Sequence, residues 1–226
     1  PYYQGNMHYR FFSDYNKSAE LYLQAHALFQ EKKDRAPVEL YYNLSNSLYR
    51  IGDYENSLEY LTTLQQQNPT IRIRPAVNYM MGMIYYKLNE SRERFLDESR
   101  EKLSNVIEYY NDEIQGYLRS PNPLSVRQNK VFYFTAITHN NIGCIYNALG
   151  IQKQDPAYFD LARAEFYKAI ENGNRYNNRN VLALSRINLK DSIFLDNARY
   201  MDNFRIGRRP TLLYDDFTPK YIEEFE

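Results

Sequence analysis

The chain has no tryptophan, one cysteine and only eight glycines among 226 residues. A lone cysteine, Cys144, excludes an internal disulfide framework. It leaves the compartment unknown, because helical proteins of the cytosol and of the periplasm both often lack disulfides. Scarce glycine weighs against a fold built on many tight turns and favours helices. No apolar run approaches the roughly 20 residues that cross a bilayer, so direct membrane insertion is not expected. Neither sign of charge is in excess, with 28 basic and 28 acidic residues, so no broad field draws in nucleic acid or an anionic surface. The opening PYYQGNMHYR shows neither an initiator methionine nor a signal-peptide pattern and reads as the edge of a fragment cut from a longer protein.

Motifs of chemistry are also missing. The three histidines, His8, His26 and His139, have no i, i+4 partner and no H-E-x-x-H context, and no cysteine pair accompanies them. His139 begins an apolar stripe and reads as a packed core histidine. Cys144 lies five residues further on, on another face of the same helix, which argues against a Cys–His nucleophile pair. No P-loop, GxGxxG or GxSxG occurs. The expectation is therefore no metal, no cofactor and no enzyme. The charged run ESRERFLDESREKL, residues 90–103, reads as a solvated helix face.

What the chain has in quantity is tyrosine, 24 in all, a side chain with an apolar body and a polar tip. Many of the tyrosines fall in a pattern. In YYNLSNSLYRIGDYENSLEYL, residues 41–61, positions Tyr41, Leu44, Ser45 and Leu48 have the spacing of an amphipathic helix. Gly52-Asp53 breaks it, with glycine suited to a left-handed C-terminal residue and aspartate to the next N-cap. A second stripe follows at Tyr54, Ser57, Leu58, Leu61 and Leu64, and Asn68-Pro69 ends it. The pattern recurs. Thirty-nine residues earlier, Tyr2-Tyr3, Asp14-Tyr15 and Ser18 overlie Tyr41-Tyr42, Asp53-Tyr54 and Ser57. Further on, Met81-Gly82 and Tyr85, then Ile142-Gly143, Tyr146 and Gly150, take the corresponding places. Second helices recur with Ser99, Leu103 and Val106, and with Ala162, Phe166 and Ala169.

This helix–turn–helix unit, with small and aromatic residues at fixed places and a closing proline, resembles the tetratricopeptide repeat, TPR. The resemblance covers roughly residues 1–173. It implies an all-α, right-handed α-solenoid of about four repeats, at about 1–36, 37–72, 73–120 and 124–173. A capping helix over about 179–204 completes a solenoid domain of residues 1–204, and residues 205–226 form an extended tail or linker. About five extra residues in the third copy, and seven (IQKQDPA) in the fourth, are expected to lie in the turns. In the capping helix Leu182, Ile187, Leu189 and Ile193 are expected to face the array, with Arg186, Lys190, Asp191 and Asp196 facing water. Small residues Ser45, Gly82, Gly143, Ser57, Ala162 and Ala169 are expected where paired helices approach closely, with Tyr85, Tyr146, Leu61 and Phe166 filling the notches.

The resemblance further implies a concave wall made by the first helix of each pair. Its candidate lining is Tyr3, Met7 and Arg10 in the first copy, and Tyr42, Asn46 and Tyr49 in the second. The third supplies Tyr79, Met83 and Tyr86, and the fourth Asn140, Cys144 and Asn147. Asn43 and Asn141 are further possible donors to a peptide backbone. The basic residues by which some relatives clamp a C-terminal carboxylate are replaced by Ala76 and Met80 here, which disfavours that ligand. The leading expectation is a non-enzymatic interaction module holding a protein or peptide in a groove lined by Tyr, Asn and Met. The alternatives are a structural subunit that self-associates through its repeats and tail, and a regulatory domain joined to an enzyme or transport machine.

Overall fold

A computed structural model describes residues 1–67, 73–92, 95–119, 126–176 and 178–198. Within them the chain is all-α, with nine α-helices, one π-helical turn and no strand. It divides into two compact units, Pro1–Phe95 and a second beginning at Leu96. The first holds α1 (Tyr2–Met7), a π-helical turn (His8–Phe12), α2 (Tyr15–Glu31), α3 (Val38–Arg50), α4 (Tyr54–Gln67) and α5 (Arg74–Arg92). The second holds α6 (Leu96–Leu118), α7 (Val126–Lys153), α8 (Ala157–Tyr176) and α9 (Arg179–Ala198). In each unit every helix packs on the next in the chain, and α3 meets α5 as α7 meets α9, the local stacking of a helical solenoid. The helices α5 and α6, read from sequence as one repeat, belong to different units.

The turns are spelled by a residue in left-handed conformation followed by an aspartate. Gly52 has φ +85°, and Asp53 accepts from the Asn56 backbone N–H at 3.3 Å while its own N–H returns to the Leu48 carbonyl at 2.9 Å. Ser13 (φ 52°) with Asp14, and Gln154 (φ 53°) with Asp155, repeat the device. The insertion IQKQDPA is divided between helix and turn: residues 151–153 lengthen α7 and Ala157 opens α8, while Gln154, Asp155 and Pro156 lie in the turn as expected. Beyond its small residue each first helix simply runs longer: α5 continues to Arg92 and α7 to Lys153, each ten positions on, whereas α3 stops five positions after Ser45. Gly150 is therefore no turn residue. It lies inside α7, where an added Cβ would stand 2.9 Å from the Phe159 ring.

The second helices bury the triplets read from sequence, Ser57/Leu61/Leu64, Ser99/Leu103/Val106 and Ala162/Phe166/Ala169, and α2 buries Ser18, Tyr22 and Ala25 at the corresponding places. Against them the first helices present their smallest residues. A Cβ on Gly143 would meet the Phe166 ring at 2.5 Å, and one on Gly5 would meet Tyr22 at 2.7 Å. In α3 and α4 two serines meet instead, Ser45 Oγ lying 2.9 Å from the Ser57 carbonyl and Ser57 Oγ 2.7 Å from the Ser45 carbonyl. Between hairpins Ser18 and Ser47 join α2 to α3 at 2.8 Å.

Two expectations change. Residues 40–49 of α3 and 131–145 of α7 are buried without a break, so over these stretches the helices have no solvent face. In α9 the buried stripe is Val181, Ser185, Asn188 and Ser192, while Ile187 and Ile193 are exposed. The helix turns a mostly polar stripe inward because α7 offers it amides, as described below. The remainder of the capping segment, 199–204, and the tail 205–226 lie outside the described residues. The charged run is divided between the end of α5 and the start of α6, with Asp97 and Arg100 paired at 3.4 Å.

Ser13 holds a left-handed φ that costs an L-residue roughly 1–2 kcal/mol, partly offset by the greater freedom glycine has when unfolded. Ser13→Gly is expected to raise stability by about 0.5–1 kcal/mol, read from urea denaturation.

Candidate functional site

The candidate positions lie on the first helices, and the structure buries nearly all of them. Tyr42, Asn43, Asn46, Tyr49, Tyr79, Met83, Tyr86, Asn140, Asn141 and Asn147 are each 8% exposed or less, whereas Tyr3 is 80% exposed. They do not form a solvent-open wall here.

Tyr3 stands apart for a reason of register. From Ser45 to Asp53 the chain takes eight steps, but from Gly5 to Asp14 it takes nine. The π-helical turn His8–Phe12 absorbs the extra residue. Gly5, not Asn6, therefore matches Ser45, and the counterparts of Tyr42, Asn46 and Tyr49 are Tyr2, Asn6 and Tyr9. Tyr3, Met7 and Arg10 fall on the outer side, Met7 half-exposed and Arg10 exposed. This corrects the first copy's share of the lining.

In the first unit Asn6 organises a small polar cluster, its Oδ1 accepting from the Tyr22 hydroxyl at 2.6 Å and from Asn43 Nδ2 at 3.3 Å. The Tyr49 ring packs on Tyr54 of α4 with centroids 5.5 Å apart. Burial holds the Tyr42 phenol well above its ordinary pKa, with Tyr9 and Tyr79 adding to the effect and Arg50 opposing it. The Tyr42 hydroxyl has no hydrogen-bond partner.

In the second unit an amide network ties α7 to α9. Asn140 Oδ1 accepts from Ser185 Oγ at 3.1 Å and from Asn188 Nδ2 at 2.9 Å, and Asn140 Nδ2 donates to Asn141 Oδ1 at 3.1 Å. Asn188 also reaches Cys144 Sγ at 3.4 Å. One helical turn on, Asn147 is 1% exposed, and neither its Oδ1 nor its Nδ2 has a partner. Sequence reasoning missed Asn6, Ser185 and Asn188. The spacing of Ser185, Asn188 and Ser192 on one face of α9 was the available signal.

The nucleophile and base candidates are accounted for structurally. Burial, and more weakly Asp191, push the Cys144 thiol far above its ordinary pKa. His139 places Nδ1 2.6 Å from Glu165 Oε2 on α8, and Lys168 Nζ reaches the other Glu165 oxygen at 2.6 Å. His139 is held by Glu165, while Cys144 packs with Ala162 and Phe166 and meets Asn188 instead. Among the described residues no three of His, Cys, Asp or Glu gather as metal ligands, and no helix is long and apolar enough to cross a membrane.

Stacked hairpins, small-residue notches and aspartate-capped turns together define a TPR-like helical-repeat fold. Among solved structures the chain is similar to that entitled "Crystal structure of MamA", at 14% identity and a TM-score of 0.46, over 86% of this chain and 95% of that one. No family model and no curated protein matches the chain.

Burial raises the Glu165 pKa, but the hydrogen bonds and charge of His139 and Lys168 outweigh it and hold the carboxyl below its ordinary 4.5. A depressed pKa contributes stability that is complete above the unfolded-state value and is lost as pH falls through the folded one. The urea midpoint is therefore expected to fall as pH drops below about 4.5, and Glu165→Gln to lessen that acid dependence.

Proposed function

We propose that the chain is a non-enzymatic interaction module whose first helices bind an extended segment of a protein partner. The observation that carries this reading is the Asn147 amide, buried with donor and acceptor both unused. A buried polar group left unpaired costs about 1–3 kcal/mol, so such a group calls for an explanation. A peptide unit offers one N–H and one C=O, the complement of a side-chain amide. In the first unit the unpartnered Tyr42 hydroxyl sits at the counterpart of Asn140 and supports the same reading independently. Tyr and Asn are suited to anchoring an extended chain, the ring by contact area and the amide by hydrogen bonding. Because these positions are buried, docking is coupled to local opening, and association is slower than the ordinary 10⁵–10⁷ M⁻¹s⁻¹, of order.

Extended peptides selected from a random library on the folded chain test the proposal by fluorescence anisotropy. Asn147→Leu and Tyr42→Phe are expected to weaken the peptides that engage each position by about 5–15-fold, the worth of one to two hydrogen bonds. Neither change is expected to lower the melting temperature, since each removes an unpaired polar group. Selection yielding no binders, or binders indifferent to both substitutions, would contradict the proposal.

A further inference from the structure

Away from the first-helix positions, the first unit holds a cavity of about 440 Å³ between the end of α2, the linker to α3, the start of α3 and the end of α4. That size lies in the usual range for small-molecule sites. The turn that closes α2 builds its rim. Lys33 takes the left-handed conformation (φ 55°), its N–H returning to the Gln30 carbonyl at 3.0 Å and the Asp34 N–H to that of Phe29 at 2.9 Å. This winding brings two oppositely charged neighbours, Asp34 and Arg35, into the lining. Arg35 reaches the end of α4, where its Nη2 donates to the Gln67 carbonyl at 3.4 Å. The Asp34 side chain is exposed and, among the described residues, makes no hydrogen bond or ion pair. The inner wall is aromatic. His26 stands edge-to-face between Tyr41 and Tyr60, with centroids 5.3 and 5.5 Å away, and burial lowers its pKa, so the imidazole is neutral at neutral pH. The half-buried ring of Phe29 lines the cavity beside it.

We infer that this cavity binds a neutral sugar of hexose or disaccharide size. One carboxylate and one guanidinium cancel, so the lining has no net charge with which to select a simple anion or cation. What it offers is variety in hydrogen bonding. Asp34 accepts, Arg35 donates, and the amides of Gln30 and Gln67 do both. The hydroxyl group, at once donor and acceptor, is the partner that uses all of these, and a sugar ring carries several side by side. Carboxylate and guanidinium are planar groups with paired atoms, so each can engage two adjacent hydroxyls. The C–H face of a sugar carries slight positive charge and packs against the negative face of an aromatic ring, here that of Phe29. The inference uses none of the buried positions assigned above to a partner peptide, and either reading can fail without the other.

Saturation-transfer NMR of the whole chain with D-glucose, D-galactose, D-mannose, maltose and cellobiose tests this. At least one of these sugars is expected to bind saturably, with a Kd of about 1–10 mM. Asp34→Ala removes an exposed and unbonded side chain, so it is expected to leave the melting temperature unchanged while weakening the sugar by about tenfold or more. Arg35→Ala is expected to cause a similar loss of affinity. Glycine and inorganic phosphate, added over the same range, are expected not to displace the sugar. Absence of binding by all five sugars up to about 100 mM overturns the inference. So does displacement by glycine or phosphate, which would make the site an ionic one, or binding that Asp34→Ala leaves unchanged.

Discussion

Two helices of a hairpin can approach only as closely as the side chains between them allow, and here that separation is governed by matched volumes. Gly143 meets the ring of Phe166, and Gly5 meets the ring of Tyr22, at distances that leave no room for a methyl group. Where the second helix carries the smaller Leu61, the first carries Ser45, and the serine pair closes the remaining gap by bonding to each other's carbonyls. Glycine accompanies an aromatic ring and serine accompanies leucine, so the summed volume at the notch is roughly kept. The stacking within each unit depends on this, because a hairpin held too far apart presents a different surface to its neighbour.

Close approach has a consequence for the inner helices. With neighbours on several sides, α3 and α7 lose their solvent faces over long stretches, and the polar residues they carry there must find partners inside. Most do: Ser47 bonds Ser18, Asn43 bonds Asn6, and Asn140 bonds Ser185 and Asn188. The threonines Thr135 and Thr138 turn back onto carbonyls of their own helix. Against so much satisfied polarity, the unused groups of Asn147 and Tyr42 are conspicuous, and they are the basis on which a binding role is proposed.

Much of the hairpin was legible in the sequence because it is local. The capped turn at Gly52-Asp53 and the buried triplets of the second helices follow from residue types at helical spacing, and the structure has them there. The misplacements share a cause. A π-helical turn shifts register by one residue without any glycine or proline to announce it, so Tyr3 was read one step around the helix. In the fourth copy Gly150 stands at the place of the turn glycine Gly52, but it lies inside α7, and the left-handed position is held by Gln154. The stripe of α9 was sought among isoleucines and leucines; Leu182 and Leu189 do face neighbouring helices, but Ile187 and Ile193 are exposed, and the fully buried positions that meet Asn140 of α7 are polar. Whether a first helix faces solvent depends on everything packed around it, which periodicity in one helix does not encode.

The volume match can be tested by exchanging one hairpin's pair for another's. Gly143→Ser and Phe166→Leu would give α7 and α8 the combination that α3 and α4 already use. The account predicts that each change alone lowers stability by about 1–3 kcal/mol, one by overpacking and the other by leaving a void. Together they should cost at least about 1 kcal/mol less than the sum, measured as a double-mutant cycle by urea denaturation. Strictly additive losses would show that the notch and the ring are not matched to each other, and would contradict the account.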